Sequence, residues 1–219
     1  TTMLMAAAVD AGEMTWETTV QTLLPDFEVK DADISKLMKM EHLVCACTGV
    51  PRRDHEIIFN FESMTPESLV ESLATFEFFT DFGEAFQYSN QMVAAGGYIT
   101  AIALGGTWGE VQTAYRYAME KHVFGPIGMT STTTDFDEVT SSDNYALPHA
   151  DNLDGAWEVI DLGIEKFVLP LAPAGAGWST TEDMTKYLLT QLDDGTAPDG
   201  TEVVSAEALH HTWKPQIEI

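Results

Sequence analysis

Basic residues are scarce. The 219-residue chain carries ten Lys and Arg against 35 Asp and Glu, a formal net charge of -25. Nucleic acid and anionic membrane surfaces are excluded as partners on that ground, because both are bound through positive charge. The acidic residues are spread along the chain and not gathered in a tail. They fit a solvated surface suited to high salt, where screening relieves self-repulsion, and they fit an acidic mesophilic protein equally well. Long apolar runs are missing too. A membrane span needs about 18 or more such residues, and the longest stretch, Met92 to Leu104, is broken by Gly96, Gly97 and Thr100. The opening TTMLMAAAVDAGE has no basic leading region and does not read as a secretory signal. Compartment stays open between cytoplasm, periplasm and the exterior.

Cysteine is almost absent: Cys45 and Cys47 flank Ala46. A pair so close is expected not to bridge. Zinc would need two more ligands at suitable spacing, and none is near in sequence. The expectation is two free thiols in a packed segment. The common catalytic signatures are missing as well. There is no G-x-S-x-G elbow, no H-E-x-x-H, since His55-Glu56 runs into Ile57, Ile58 and Phe59, and no P-loop. Gly175-Ala176-Gly177 lacks the strand and helix that would make it a nucleotide loop. No metal and no cofactor is expected.

What is present is mostly helix. Helices are expected over Thr2 to Ala11, over Ile34 to Val44, after a Thr65 cap with Pro66 at the first position, and over 91–104 behind a Ser89 or Asn90 cap. Others are expected from Glu110 to Phe124, stopped by Gly125-Pro126, from a Ser179-Thr180-Thr181-Glu182 capping box through Gln191, and from Ser205. Strands are expected at Tyr145 to His149 and Ala156 to Asp161, with polar turns over 130–144 and loops over 45–54 and 170–177. So few strands suggest an α/β (α+β) domain in which the sheet is incomplete.

Tyr88-Ser89-Asn90 stands out by its place between an aromatic loop and the apolar helix. Alone the triplet is a half-buried aromatic and a helix cap. Its surroundings say more. FGEAFQYSNQMVAAGGYI, DAGEMTWETTVQTLLPDF, HLVCACTGVPRRD, KHVFGPIGMTST and PAGAGWSTTEDMTKYLL occur in the order of five blocks typical of one family. Together they resemble class C β-lactamase-like and penicillin-binding serine hydrolases from residue 1 to about 192.

The resemblance implies a β-lactamase/transpeptidase-like fold, helix-rich here, forming one domain over 1–219 that is truncated at both ends. It implies acyl transfer to water through an acyl-enzyme, with a small ester or amide as substrate. Tyr88 falls where the family's tyrosine helps move the nucleophile's proton. Asn90 falls where its asparagine bonds the substrate and a lysine. Ser89 lies between them, and Ala174 and Gly175 border the mouth of the site in relatives. The family's S-x-x-K is expected upstream of Thr1 and its K-T-G or H-x-G strand beyond the last helix. Complementation by those segments, or self-association, is the implied partnership. The family histidine of THTSG is replaced by Ala46. The competing expectation is an inactive β-lactamase-like binding module.

Overall fold

The computed structural model describes residues 1–218. Its helices are, in chain order, α1 (Thr2–Asp10), α2 (Val20–Leu23), α3 (Ala32–Leu37), α4 (Asp54–Asn60), α5 (Pro66–Ser72), α6 (Asn90–Ala103), α7 (Val111–Met119), α8 (Gly125–Ile127), α9 (Phe136–Thr140), α10 (Ala172–Gly175), α11 (Thr181–Leu192) and α12 (Ala206–His211). Tighter 3-10 turns span Met40–Leu43, Leu73–Thr75 and Leu162–Leu171. Strands β1 (His149–Asp151) and β2 (Trp157–Val159) pair antiparallel, with His149 opposite Val159 and Asp151 opposite Trp157.

Helix α6 is the centre. Its residues are small or apolar on every face, so no side of it favours water. Gln91, Met92 and the whole run Ala94 to Ala101 are buried. Helix α1 is of the same kind, buried from Met3 to Ala8, and packs between α6 and α12. Helices α7 and α10 close other sides of α6. The β1–β2 hairpin lies outside this core, with every residue at least partly exposed. It is held by the Asn152 side chain, which accepts the amides of Asp154 and Ala156, both at 2.9 Å.

Several boundaries differ from the sequence expectation. Residues 34–44 make two elements, because Met38 turns to extended backbone (ψ 122°) after α3. The helix from 111 runs past Gly125-Pro126. A widened turn over Glu120–Phe124 leaves room for the proline ring, and the stop comes at Gly128, which is left-handed at φ 78°. The polar stretch 130–144 holds α9, capped by the Asp135 carboxylate on the amides of Asp137 and Glu138. Residues 170–177 contain helical turns: Pro173 sits in the first turn of α10, where no backbone donor is needed, and Pro170 lies inside the 3-10 turn before it. The hairpin is paired nearer its turn than expected, with Pro148 supplying only a carbonyl, to the Ile160 amide at 3.0 Å. Helix α4 was not expected; Ile57 is its one buried residue, too little apolar pattern to read.

The cap of α11 sits one residue later than the capping box suggests. Thr180 accepts from the Asp183 amide at 3.2 Å. That frees the Asp183 side chain for tertiary work. Although buried, its carboxylate accepts the Ser131 amide at 2.7 Å and the Thr132 hydroxyl at 2.9 Å, with Lys186 at 3.2 Å. Burial alone would raise the carboxyl's pKa, but these donors together hold it below the ordinary carboxylate range. Folding therefore favours the ionised form. The stability this supplies is present above the unfolded-state pKa and lost as pH falls through the depressed folded value. Asp183→Asn is expected to cost about 2 kcal/mol at neutral pH and to flatten part of the acid-side loss, as read by urea melts across pH. A variant with unchanged stability and unchanged acid sensitivity would contradict this role.

Candidate active site

The site is built on two loops that pair with each other. Phe79, Gly83 and Gln87 donate their amides to the carbonyls of Gly49, Cys47 and Ala46 at 2.9, 2.8 and 2.7 Å. The approach is close at Gly49. It is left-handed at φ 74°, and a β-carbon there would fall 2.1 Å from the Thr80 carbonyl oxygen, so only glycine fits. Ala46 is also left-handed, at φ 53°, without that freedom.

Cys45 and Cys47 are bridged, against the expectation of free thiols. The left-handed Ala46 between them brings their Cα atoms to 5.2 Å, inside the range a disulfide spans. Spacing on an ordinary backbone had argued otherwise.

The paired loops deliver Tyr88, Ser89 and Asn90 to the start of α6. Ser89 is the cap: extended at φ -147°, buried, its hydroxyl accepting the Met92 amide at 3.4 Å and donating to the Pro51 carbonyl at 3.3 Å. Asn90 opens the helix, and its side-chain amide donates to Asp54 Oδ1 at 3.0 Å. The other oxygen of Asp54 lies 3.6 Å from Arg52 Nε, and the Arg52 guanidinium sits 5.8 Å from the centre of the Tyr88 ring. Tyr88 itself is exposed.

Two cavities meet this triplet from different sides. One of about 340 Å³ is lined by Asn90, Asp54, Ile57, Leu171, Ala174 and Gly175, among others. The other, about 300 Å³, has Tyr88 and Ser89 with His42, Cys45 and Met92 in its wall. Asn90, Ala174 and Gly175 thus share a cavity, whereas Tyr88 and Ser89 line the neighbouring one. Neither of these two cavities is the roomiest. A cavity of about 430 Å³ lies elsewhere, between Thr113, Arg116 and Thr132.

The floor beneath Ala174 is fixed by contacts to α6 and α1. Tyr98 donates its hydroxyl to the Pro170 carbonyl at 3.0 Å, and Gly97 packs directly under Pro173. The Thr1 hydroxyl reaches the Pro173 carbonyl and lies 3.1 Å from the Tyr115 hydroxyl. Burial pushes the Tyr115 hydroxyl up to about 12, against the hydrogen bond with Thr1. The start of α1 therefore abuts the segment that walls the Asn90 cavity. Among the described residues, no group of three or more His, Cys, Asp or Glu is arranged to hold a metal.

The beta-lactamase family model matches residues 1–217. The chain belongs to the beta-lactamase family. A penicillin-binding protein 4 from Amycolatopsis lactamdurans is 25% identical over 94% of this chain and 51% of its own. The chain thus spans about half the length of the curated relative it matches. Among solved structures, it is similar to an octameric penicillin-binding protein homologue from Pyrococcus abyssi, with a TM-score of 0.77 at 17% identity over 100% of this chain and 47% of that one. A penicillin-binding protein from Bacillus halodurans gives a TM-score of 0.69 at 21% identity, over 100% of this chain and 63% of its own. At such identities these likenesses speak to the beta-lactamase fold alone.

Within this beta-lactamase-family chain, sequence reasoning found the triplet but missed Asp54 and Arg52. The available signal was a carboxylate following two arginines directly after Gly49-Val50-Pro51. The same reading missed the part played by Gly97. A β-carbon on Gly97 would fall 2.3 Å from Pro173 Cβ. Gly97→Ala is expected to cost roughly 1–3 kcal/mol by overpacking and to move the backbone amides of Ala174 and Gly175, checked by urea melts and amide chemical shifts. A neutral substitution that leaves those amides in place would show that α10 is not seated by this contact.

Proposed function

We propose that residues 1–219 form one beta-lactamase-like domain together with flanking segments, and that the domain hydrolyses a small ester or amide through an acyl-enzyme. The observation that carries this reading is Asn90. Its side-chain amide is oriented by Asp54 at 3.0 Å, and the residue lines a largely apolar cavity at the N-terminus of a rigid buried helix. An asparagine so held can present its carboxamide to a substrate amide or ester without reorganising. Tyr88 stands two residues away, exposed, with a guanidinium against its ring. In this reading Tyr88 takes part in moving the nucleophile's proton, Asn90 holds the acyl group's polar edge, and Ala174 and Gly175 bound the pocket. Ser89 contributes through its backbone and its cap. The nucleophilic serine and its lysine come from chain outside residues 1–219. The start of α1, beside Pro173, is where that chain would join.

The chemistry then has three parts. The serine oxygen attacks the carbonyl carbon as its proton passes by way of the Tyr88 side, backbone donors hold the tetrahedral oxyanion, and collapse breaks the ester or amide bond and expels the alcohol or amine, which takes up that proton. Water repeats the attack on the acyl-enzyme. D-stereospecific amidohydrolase and beta-lactamase/D-alanine carboxypeptidase are the names of fold neighbours, and an ester or amide of a small acylated amino acid fits the shared chemistry.

The test is p-nitrophenyl ester hydrolysis. The 219-residue chain is expected to show little turnover, because a missing oxyanion donor alone costs on the order of a hundredfold. With the flanking coding sequence restored, turnover should appear, and Tyr88→Phe should then lower kcat by about a hundredfold or more. Asp54→Ala should raise KM and lower kcat together by releasing Asn90. Strong turnover by the short chain that survives Tyr88→Phe would mean another nucleophile. No turnover by the longer polypeptide, with ligand binding retained, would favour a non-catalytic binding module.

A further inference from the structure

We propose that Cys45 and Cys47 are a reversible thiol–disulfide exchange site, whose oxidation state sets the order of the loop that delivers Tyr88. Three features of the molecule carry this. First, the bridge encloses only Ala46, and Ala46 is left-handed at φ 53°. A residue with a β-carbon is disfavoured there, so the bridge holds a backbone conformation that the residue itself does not choose. Second, that same backbone carries the partner loop. The carbonyls of Ala46 and Cys47 receive the amides of Gln87 and Gly83 at 2.7 and 2.8 Å, immediately before Tyr88. A change at Ala46 is therefore a change at Gln87, one residue from the candidate site.

Third, both oxidation states have partners for the sulfur. In the bridged form, Cys45 Sγ accepts the Cys47 amide at 3.2 Å. The His42 carbonyl oxygen lies 3.3 Å from the same sulfur. A bridged sulfur has no hydrogen to offer that oxygen, but a thiol does. The reduced state thus finds an acceptor already in place. Access exists as well. Both cysteines are largely buried, yet Cys45 forms part of the wall of the 300 Å³ cavity that also holds Tyr88.

The exchange balances with a dithiol as reductant. A thiolate of the dithiol attacks one sulfur, breaking the Sγ–Sγ bond and forming a mixed disulfide. The second thiol of the reductant closes on that intermediate. Two electrons and two protons end on Cys45 and Cys47 as thiols, and the reductant leaves as a cyclic disulfide. Oxidised glutathione reverses the change. That the loop matters to catalysis rests on the reading of Tyr88 given above. The exchange itself does not.

The experiment uses the 219-residue chain, purified without reductant. Maleimide titration under denaturant should find no thiol before dithiothreitol, two after it, and none again after oxidised glutathione. Hydrogen exchange then reads the loop. On reduction the amides of Gln87 and Gly83 should exchange about tenfold faster, while those inside α6, such as Tyr98, stay protected. Ala46→Gly supplies the left-handed backbone without the bridge, so reduction should change its Gln87 exchange much less. Cys45→Ser with Cys47→Ser should exchange like the reduced protein whether or not dithiothreitol is present. If that double variant does not fold, the wild-type comparison before and after reduction still decides. Thiols that stay free after glutathione treatment, or Gln87 exchange equal in both states, would overturn the proposal. A reduction effect as large in Ala46→Gly as in the wild type would overturn the role given to Ala46. None of these readouts needs turnover. A failure of the Tyr88 assignment would show instead as unchanged hydrolysis by Tyr88→Phe in the longer polypeptide.

Discussion

The close approach at Gly97, where α6 meets Pro173, is the contact on which the site depends. With no side chain at that position, α10 comes down onto the helix and the Pro170–Gly175 segment is held against it. The same helix begins with Ser89 and Asn90. One largely buried helix therefore fixes both walls of the Asn90 cavity: its first turn provides one, and Gly97 and Tyr98 seat the other. Gly96 plays the matching part on another side, under Leu43 and Val44, which lead into the Cys45–Val50 loop. A buried helix made of Ala, Gly and a few large residues can serve in this way because it lets neighbouring backbones approach more closely than bulky side chains would permit.

Electrostatics shape the same region differently. In a chain of net charge -25, Arg52 and Arg53 are adjacent and both lie beside the site. Arg52 pairs with Asp54 and faces Tyr88, while Arg53 pairs with Glu56 and stacks on Phe76. Asp54 thus serves two functions, orienting Asn90 with one oxygen and facing Arg52 with the other. The remainder of the surface is acidic and solvated, as its composition implies, and its exposed ion pairs add little to stability.

Much of the fold could be read from sequence because its signals are local. The Thr65-Pro66 cap, the Ser205 cap, the apolar run after Asn90 and the left-handed glycines all act over a few residues. Five ordered blocks also pointed to the family that the matched residues 1–217 show. What was missed is long-range or depends on unusual backbone. The disulfide spans a left-handed Ala46 whose backbone pairs with a loop some 40 residues away, and neither feature is announced by the local sequence. The tertiary role of Asp183 was not legible, because the Ser131 amide that its carboxylate accepts lies 52 residues earlier. Gly125-Pro126 reads as a stop, and only the widened turn before it shows why the helix goes on. For the site, the triplet was legible as a pattern. Its division between two cavities was not, since that depends on which side of α6 each side chain leaves.

The central claim is that Asn90, Ala174 and Gly175 bound the place where a small acylated substrate sits. Titration of the 219-residue chain with an N-acylated amino-acid ester, followed by nitrogen–proton correlation spectra, tests it most directly. The account predicts saturable shifts of the Asn90 side-chain amide and of the Ala174 and Gly175 backbone amides, weakened in Asp54→Ala. Shifts confined to the cavity around Arg116 and Thr132, with Asn90 unmoved, would contradict it.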